Sequence, residues 1–207
     1  GIFLLPGYRA AQQRLRDAVS RAVVDLIARI RESGATQVEA ERWMEGQFAG
    51  GTLVGSADLV LRFATGEHTV IDLKWAGVKK YPEKLRNNRH LQLMIYAGLL
   101  QQAIGAWPRY AYYLLKDARL LAQDREVFAQ AQICAPEQVE SLPQLWKRFE
   151  ITWDWRRRQL EDGRVELALE GIEADRDSLP PADGLSLEAL SPAYNPFMTL
   201  VGWGGGQ

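Results

Sequence analysis

The sequence predicts an α/β fold: a central mixed sheet flanked by helices in the core order α-β-β-β-α-β, with a C-terminal helical extension and an irregular tail. Three observations predict it. Near the N-terminus, apolar residues recur at three- and four-residue steps, the period of a helix that faces a core. From residue 37 the period changes to that of strands, and a Gly-containing turn divides two apolar segments. A second helical pattern then leads into a further strand, so helices and strands alternate.

The first helix is predicted over residues 6–33. Its apolar side chains lie at helical steps, at Leu15, Val19, Val23, Ile27 and Ile30. Gly34 is a typical helix stop. The first strand follows over residues 37–43.

The second and third strands, residues 52–63 and 68–75, are predicted to form a hairpin. The four residues between them, 64–67, contain Gly66 and are typical of a turn. The next segment, 76–89, is polar and basic. A second helix over 89–104 ends at Gly105, and an aromatic-rich strand occupies 109–116.

The C-terminal part is predicted to hold one long helix, 136–162, and then an irregular tail that packs through Tyr194, Phe197 and Trp203. We expect the core within residues 1–125 and the C-terminal helix and tail, 126–207, packed on it as parts of a single domain. Because the chain begins without Met, we expect a piece excised from a longer protein.

The composition excludes several classes of protein. Of the 207 residues, 47% are hydrophobic and 25% are charged, as in ordinary globular domains. No apolar run approaches the roughly 20 residues of a membrane helix, so we expect no membrane partner. The single cysteine, Cys134, cannot build a disulfide framework or a cysteine-based metal site, and it favours a cytoplasmic location. Because the net charge is only -1, any attraction to phosphate must be local.

Two acids and a lysine interrupt the apolar strands of the hairpin. Asp72 and Lys74 project to the same side of their strand, since side chains alternate. If the hairpin brings Asp58 alongside, two carboxylates and an ammonium converge at one end of the sheet. The carboxylates would repel each other unless a divalent cation neutralised them, and hard oxygen ligands suit Mg or Mn. This chemistry is that of metal-assisted phosphodiester hydrolysis.

Other features have competing interpretations. Asp-x-Lys alone is common, and Gln92 and Tyr96, four residues apart on the second helix, could form an ordinary polar face. The hypothesis of a catalytic site therefore depends on the order of all three features along the chain: Asp58, then Asp72 with Lys74, then Gln92 with Tyr96. Between residues 79 and 89, five cations stand against Glu83, which predicts either phosphate contacts or a solvated loop. These cations are Lys79, Lys80, Lys84, Arg86 and Arg89. Both histidines, His68 and His90, are expected at the surface.

The ordered motifs resemble a known family. Gly-x-x-Asp over 55–58, Ile-Asp-x-Lys over 71–74 and Gln-x-x-x-Tyr over 92–96 are similar to the RecB-like branch of the PD-(D/E)XK nuclease superfamily. The resemblance spans residues 15–116. It implies a restriction-endonuclease-like core, DNA as the substrate, and further domains of a parent protein or a helicase-like partner in repair, recombination or phage defence.

The resemblance also implies roles for single residues. Asp58 and Asp72 would bind the metal together with the backbone carbonyl of Leu73, and Lys74 would act as base or charge stabiliser. Supporting roles fall to Gln92 and Tyr96.

The chain departs from the family in two places. The first helix lacks the usual His or Glu ligand before Glu32. Glu39 or Glu41 on the first strand could replace it. We choose Glu41, because Trp43 lies on the same side of the alternating strand. With Cys134 alone, we expect no iron-sulfur cluster. Two alternatives therefore stay open: a nuclease fold that only binds DNA or acts as a scaffold, and an unrelated α/β domain in which the acids lie far apart.

Overall fold

A computed structural model describes residues 9–75, 77–164 and 181–186. The expectations for residues 6–8 and for the tail residues Tyr194, Phe197 and Trp203 lie outside this range. The chain divides into two compact units, Gly1–Pro143 and Gln144–Gln207. The described elements are α1 (Arg9–Glu32), β1 (Gln37–Phe48), β2 (Gly51–Arg62), β3 (His68–Lys74), α2 (Lys80–Arg86), α3 (Leu91–Ile104), β4 (Arg109–Leu114), β5 (Arg119–Ala122), β6 (Gln132–Ile133) and α4 (Leu142–Glu161).

The six described strands form one mixed sheet in the order β1-β2-β3-β4-β5-β6. The β3–β4 and β5–β6 pairs are parallel, and the other pairs are antiparallel. The helix α3 makes the crossover between β3 and β4, as parallel neighbours require. The predicted α/β class, the mixed sheet and the core order are confirmed.

Both faces of the sheet are covered by apolar side chains of the first unit. On one face, Val60, Val70 and Tyr112 belong to a core that includes Leu93 and Leu99 of α3. On the opposite face, the intervening strand residues, such as Leu61, Ile71 and Tyr113, belong to a core that includes Ala22 and Leu26 of α1. This alternation fixes which side chains of β3 lie near α3, and therefore on which face a site can form.

The helix α1 packs through a different stripe from the one that the apolar periodicity suggests. Ala22 and Leu26 are buried, whereas Val23 and Ile27 are each 43% exposed. The hydroxyl of Tyr113 donates to the carbonyl of Ala22 at 2.7 Å and to a carboxylate oxygen of Asp25 at 2.9 Å. The small alanine lets the helix approach the sheet closely enough for these hydrogen bonds.

Two glycines let α3 lie close to the hairpin of β1 and β2. A Cβ on Gly55 would come within 3.1 Å of the Tyr96 ring, and one on Gly46 would come within 2.6 Å of the Gln102 amide. That amide accepts from the Gln47 backbone N–H at 2.8 Å and donates to its carbonyl at 3.0 Å. The glycine of the Gly-x-x-Asp motif therefore has a packing role of its own.

Several elements differ from the sequence prediction. The strand β1 continues five residues past Trp43 and reaches a tight turn at Ala49 and Gly50, both with positive φ. The strands β5 and β6 were not predicted, because two to four residues are too few for a periodic signal. The helix α4 begins at Leu142 instead of residue 136.

The segment after β3 is also more ordered than the sequence suggests. It contains the helix α2, whose Pro82 and Leu85 are buried. The expectation of a surface position is wrong for His90, which is 1% exposed and stacks on Tyr110 at 4.8 Å between ring centroids. His68 is half-buried. Only two residues of this short, charged helix are buried, so the sequence gives little indication that the segment packs on the core.

In the second unit, α4 is held to a short described segment by its polar side chains. The guanidinium of Arg148 donates to the Gly184 carbonyl at 2.7 and 2.9 Å. The hydroxyl of Thr152 accepts from the Leu185 backbone N–H at 2.7 Å. No helix among the described residues is both long and apolar enough to cross a membrane.

Candidate active site

Asp58 lies where the hydrogen-bonded ladder between β2 and β3 ends. The last paired residues are Leu59 and Ile71. Beyond them, the Leu73 backbone N–H donates to Asp58 Oδ2 at 2.6 Å. The carboxylate thus replaces a ladder partner, and it satisfies a partly buried N–H that would otherwise cost about 1–3 kcal/mol.

The strands β1 and β2 are irregular at this same position. Ala57 and Val60 pack in the same apolar core although they are three positions apart, an odd spacing, so the alternation of β2 is broken between them. The pairs on either side, Ala40 with Leu59 and Arg42 with Ala57, leave Glu41 opposite Asp58. Glu41 has φ of 51°, in the left-handed region that a non-glycine residue enters at a cost. This irregularity accompanies the departure of Asp58 from the ordinary ladder.

Lys74 is held between an acid and an amide. Its Nζ donates to Asp72 Oδ1 at 3.0 Å and to Gln92 Oε1 at 2.9 Å. The amide nitrogen of Gln92 then donates to the Tyr96 hydroxyl at 2.8 Å. The chain of contacts runs from β3 to α3, on the face of the sheet where even-numbered residues of β3 lie. The helical spacing of Gln92 and Tyr96 therefore serves a shared polar contact rather than a solvated face.

Burial and charge act in opposite directions on Asp72. Its side chain is fully buried, while that of Lys74 is 19% exposed. Burial raises the pKa of the Asp72 carboxyl to about 6, an effect that nearby Asp58 reinforces and Lys74 opposes. Burial works to lower the pKa of Lys74, but the hydrogen bond and charge of Asp72 raise it overall. At neutral pH the pair is consequently an ion pair.

The chemistry of these groups fits a divalent cation. Asp72 Oδ2 lies 2.8 Å from Lys74 Nζ, but no described residue gives this buried atom a well-directed hydrogen bond. The negative charge of Asp58 raises the pKa of Asp72, because the two carboxylates repel each other. A bound cation would relieve that repulsion.

The Leu73 carbonyl is directed toward the same gap. The Lys74 carbonyl accepts from the Leu115 N–H, on the β4 side. Because successive carbonyls of a strand point in opposite directions, the Leu73 carbonyl is directed toward the β2 side, where Asp58 lies. Carboxylate and carbonyl oxygens are suitable ligands for Mg and Mn.

Glu41 does not join the two aspartates in a group of three acids. The hydroxyl of Ser56 donates to Glu41 Oε2 at 3.5 Å, at the surface of the β1–β2 hairpin. Among the described residues no cluster of three or more His, Cys, Asp or Glu side chains could hold a metal ion. The arrangement supplies two carboxylates, and the predicted third ligand is not assembled with them.

The predicted basic residues follow the site and lie on and around α2. Lys79, Lys80, Arg86 and Arg89 are exposed, and Lys84 is half-buried. Gln123 fixes this helix by donating to the Leu85 carbonyl at 2.9 Å.

Sequence reasoning missed Tyr81, which belongs to the surroundings of Lys74. It lies close enough to Lys74 to influence the pKa of that ammonium, and its ring lies 4.7 Å from that of Tyr112 between centroids. The one signal in the sequence is an aromatic residue inside a basic segment seven residues after Lys74. Without the short helix α2, nothing places that ring near the ammonium.

The layout defines a class of protein: an α/β sheet with Asp58, Asp72 and Lys74 at the ends of two adjacent strands, as in restriction-endonuclease-like folds. The family model of the PD-(D/E)XK nuclease superfamily matches residues 3–175. The chain therefore belongs to the PD-(D/E)XK nuclease superfamily. Among curated protein sequences, none matches it. The assignment to the RecB-like branch stays a prediction.

Proposed function

We propose that this chain is a Mg- or Mn-dependent nuclease that hydrolyses DNA phosphodiester bonds, with its core within residues 1–125. One observation carries the proposal: Asp58, Asp72 and Lys74 converge where β2 and β3 separate, on the α3 side of the sheet. An unrelated α/β domain has no reason to bring these three side chains together. Membership of a nuclease superfamily adds independent support.

Asp58, Asp72 and the Leu73 carbonyl would hold the cation. A cation held by these groups would supply polarisation of the scissile phosphate and a lower pKa for a coordinated water. For this, Asp72 must be deprotonated, and its ion pair with Lys74 favours that state at neutral pH. Asp58 already orients one oxygen toward the Leu73 N–H, which fixes the carboxylate at the gap between the strands.

Of the two roles open to Lys74, charge stabilisation has the better support. Its raised pKa keeps the ammonium protonated, so it has no free electron pair with which to act as a base. Asp72 and Gln92 both accept from this ammonium and fix its position. A fixed cation of this kind lowers the energy of charge that develops on the phosphate.

Gln92 and Tyr96 position the lysine and offer one further donor. The Gln92 amide bridges Lys74 and the Tyr96 hydroxyl. Since that hydroxyl accepts from the amide, its own proton remains for another acceptor. A phosphate oxygen of the DNA backbone is the acceptor that the proposed site would bring there.

The wider context is proposed more generally. Contacts from Lys79, Lys80, Lys84, Arg86 and Arg89 to phosphates would supply local attraction that the net charge of -1 does not. Further domains or a helicase-like partner would deliver DNA during repair, recombination or phage defence. A cytoplasmic location belongs to the same proposal. So does the Glu41 ligand, which would require the Glu41 side chain to leave Ser56 and turn toward Asp58, the residue opposite it.

The test is cleavage of linear and circular DNA with Mg or Mn, comparing the wild type with Asp72→Ala and Lys74→Ala. We expect cutting that requires the metal and falls by about 10²–10³-fold or more in both variants, because each removes a group that balances transition-state charge. Asp124→Ala is the matched control, since this aspartate is 54% exposed and pairs with Arg109 at the other end of the sheet. Equal activity in all four proteins would contradict the assignment.

A second candidate is a nuclease fold that binds DNA without cutting it. The observation in its favour is the lack of a third acid beside Asp58 and Asp72 among the described residues. It predicts DNA binding by the wild type with no cleavage at any Mg or Mn concentration. Metal-dependent cutting that Lys74→Ala abolishes would exclude it.

A further inference from the structure

We infer that the cavity at the N-terminal ends of β3 and β4 binds a small aromatic amine, a planar apolar ring that carries a protonated amino group. The cavity has a volume of about 520 Å³, and sites for small molecules typically measure roughly 300–1,000 Å³. Three properties of its lining carry the inference: a polar group without a partner, aromatic rings, and an excess of negative charge.

The cavity is built where three connections meet at one end of the sheet. Its lining comes from the turn before β3, the loop between α3 and β4, and the segment after β5, together with the first residues of β3 and β4. All of these belong to the first unit. Five residues of strand, roughly 16 Å, separate Thr69 in the lining from Lys74. The inference therefore does not depend on the proposed nuclease function.

Two polar atoms at this end have no hydrogen-bond partner among the described residues. They are the hydroxyl oxygen of Thr69 and Nδ1 of His68, and both are buried. Thr69 is only 1% exposed, and both residues line the cavity. A buried hydroxyl that is left unpaired destabilises a fold, and a ligand that supplied its partner would remove that penalty. The lining thus favours a ligand with a hydrogen-bonding group on its inner part.

Aromatic side chains form much of the apolar lining. Trp107, Tyr110 and Phe128 all line the cavity. Tyr110 is fixed from two sides, because its hydroxyl donates to Gln123 and its ring stacks on His90. Fixed aromatic rings pack well against another planar ring, in stacked or edge-to-face arrangements. The lining therefore favours a planar aromatic molecule over a flexible aliphatic one.

The charges at the exposed edge of the cavity favour a cation. Arg109, which lines the cavity, pairs with Asp124 at 3.5 Å and also with Glu126. Glu67 is exposed, and its carboxylate accepts from the Thr65 hydroxyl at 2.9 Å but pairs with no described cation. Three carboxylates thus stand against one guanidinium. A nucleotide or another phosphate compound would be repelled, whereas an ammonium beside Glu67 would be attracted.

The first experiment compares ligands that share a ring and differ in charge. Isothermal titration of the wild type, in EDTA, would use tryptamine, indole-3-acetate and indole. We expect tryptamine to bind about tenfold more tightly than indole-3-acetate, because its ammonium is attracted to Glu67 and a carboxylate is repelled. Indole, which carries no charge, should lie between them. Equal affinity for all three ligands, or no binding of tryptamine, would overturn the inference.

Variants of the lining then assign the contacts. Thr69→Val should weaken tryptamine binding about fivefold, and it should raise the midpoint of urea unfolding because a methyl group replaces an unpaired buried hydroxyl. Glu67→Gln should weaken tryptamine about threefold and leave indole unchanged. Trp107→Ala should weaken both ligands about tenfold, and Trp107→Phe should recover most of the affinity. Glu45→Gln, which changes an exposed acid on β1 outside the lining, is the matched control.

The outcomes are decisive even if a buried variant does not fold. Thr69→Val with wild-type affinity, or Glu45→Gln as weak as Glu67→Gln, would overturn the assignment. Urea unfolding identifies variants that fail to fold. Glu67 is exposed, so Glu67→Gln leaves the core intact, and equal losses of tryptamine and indole in that variant would also overturn it. None of these measurements involves DNA, so their results stand whether or not the protein cleaves it.

Discussion

At the C-terminal end of β3, Asp72 and Lys74 form an ion pair beneath α3, whereas at its N-terminal end His68 and Thr69 line a cavity of about 520 Å³. The buried ionisable groups near that cavity are neutral. Burial lowers the pKa of His90 to about 4 and raises that of Tyr110, on which it stacks. At the site end, by contrast, a fully buried carboxylate stays charged because an ammonium lies beside it.

The contrast between the two ends of β3 indicates where the chemistry of this fold takes place. A protein that buries polar groups only for packing keeps them neutral, as it does with His90. The charged pair at the other end of β3 costs desolvation, and its second acid, Asp58, adds repulsion. This cost is explained if a bound cation neutralises the two carboxylates and a phosphate pairs with the Lys74 ammonium. The cavity is thus not the place where phosphodiester chemistry is expected.

Substituting Asp58 tests the site end and should give the largest effect. Asp58→Asn can still accept from the Leu73 N–H but carries no charge for a cation, while Asp58→Ala loses both properties. Metal-dependent cleavage should fall by about 10²–10³-fold in both variants. Thermal or urea unfolding should show a loss of about 1–2 kcal/mol for Asp58→Ala and a smaller one for Asp58→Asn.

The matched control for this pair lies at the opposite end of β3. Asp124→Asn changes an exposed acid beside Arg109 and should alter cleavage less than twofold. If Asp58→Asn cleaves as well as the wild type, the carboxylate is a structural cap for the strand end and the two ends are not chemically different.

The pH dependence of stability should separate the two ends next. The folded pKa of His90, about 4, lies below its unfolded value of 6.5, so its contribution is present above pH 6.5 and is lost as the pH falls toward 4. The folded pKa of Asp72, about 6, lies above its unfolded value of 3.8, so in the absence of metal its contribution is present below pH 3.8 and is lost as the pH rises through 6. Each change is worth roughly 3 kcal/mol, because a difference of one in pKa corresponds to about 1.36 kcal/mol.

Because these two contributions oppose each other between pH 4 and 6, single variants should expose them. In urea unfolding with EDTA, acidification should destabilise Asp72→Asn more than the wild type. The same acidification should destabilise His90→Phe, which keeps an aromatic ring on Tyr110, less than the wild type. Identical pH profiles for all three proteins would show that burial does not distinguish the two groups.

The sequence predicted the parts of the site that follow from strand periodicity. Asp72 and Lys74 share a face because side chains alternate, and the hairpin places Asp58 on the adjacent strand. The helix α3 was predictable because it is apolar over several turns and ends at Gly105, which has φ of 81°. These features depend on local residues, and periodicity reports local structure well.

The remaining features depend on contacts that are distant in sequence. The hydrogen bond from the Leu73 N–H to Asp58 forms because the β2–β3 ladder ends at the pair of Leu59 and Ile71. No local sequence pattern indicates that the ladder ends there. The burial of His90 depends on Tyr110, twenty residues away, and on the unpredicted helix α2. Glu41 was predicted to share its alternation with Trp43, but its positive φ breaks the regular pairing of β1 with β2 there, which no local pattern indicates.

The cations around α2 should give the smallest effect, and they test the segment that connects the two ends. The helix follows the site directly, and its Leu85 carbonyl accepts from Gln123, which lines the cavity. We expect Lys79→Ala and Arg86→Ala each to weaken DNA binding a few-fold at low salt and to reduce the slope of log affinity against log salt by about 1. Lys147→Ala, 70% exposed on α4, is the matched control and should change neither quantity. A slope that stays constant in both α2 variants would mean that these cations do not contact phosphate, so that attraction to DNA comes from the site end of β3 itself.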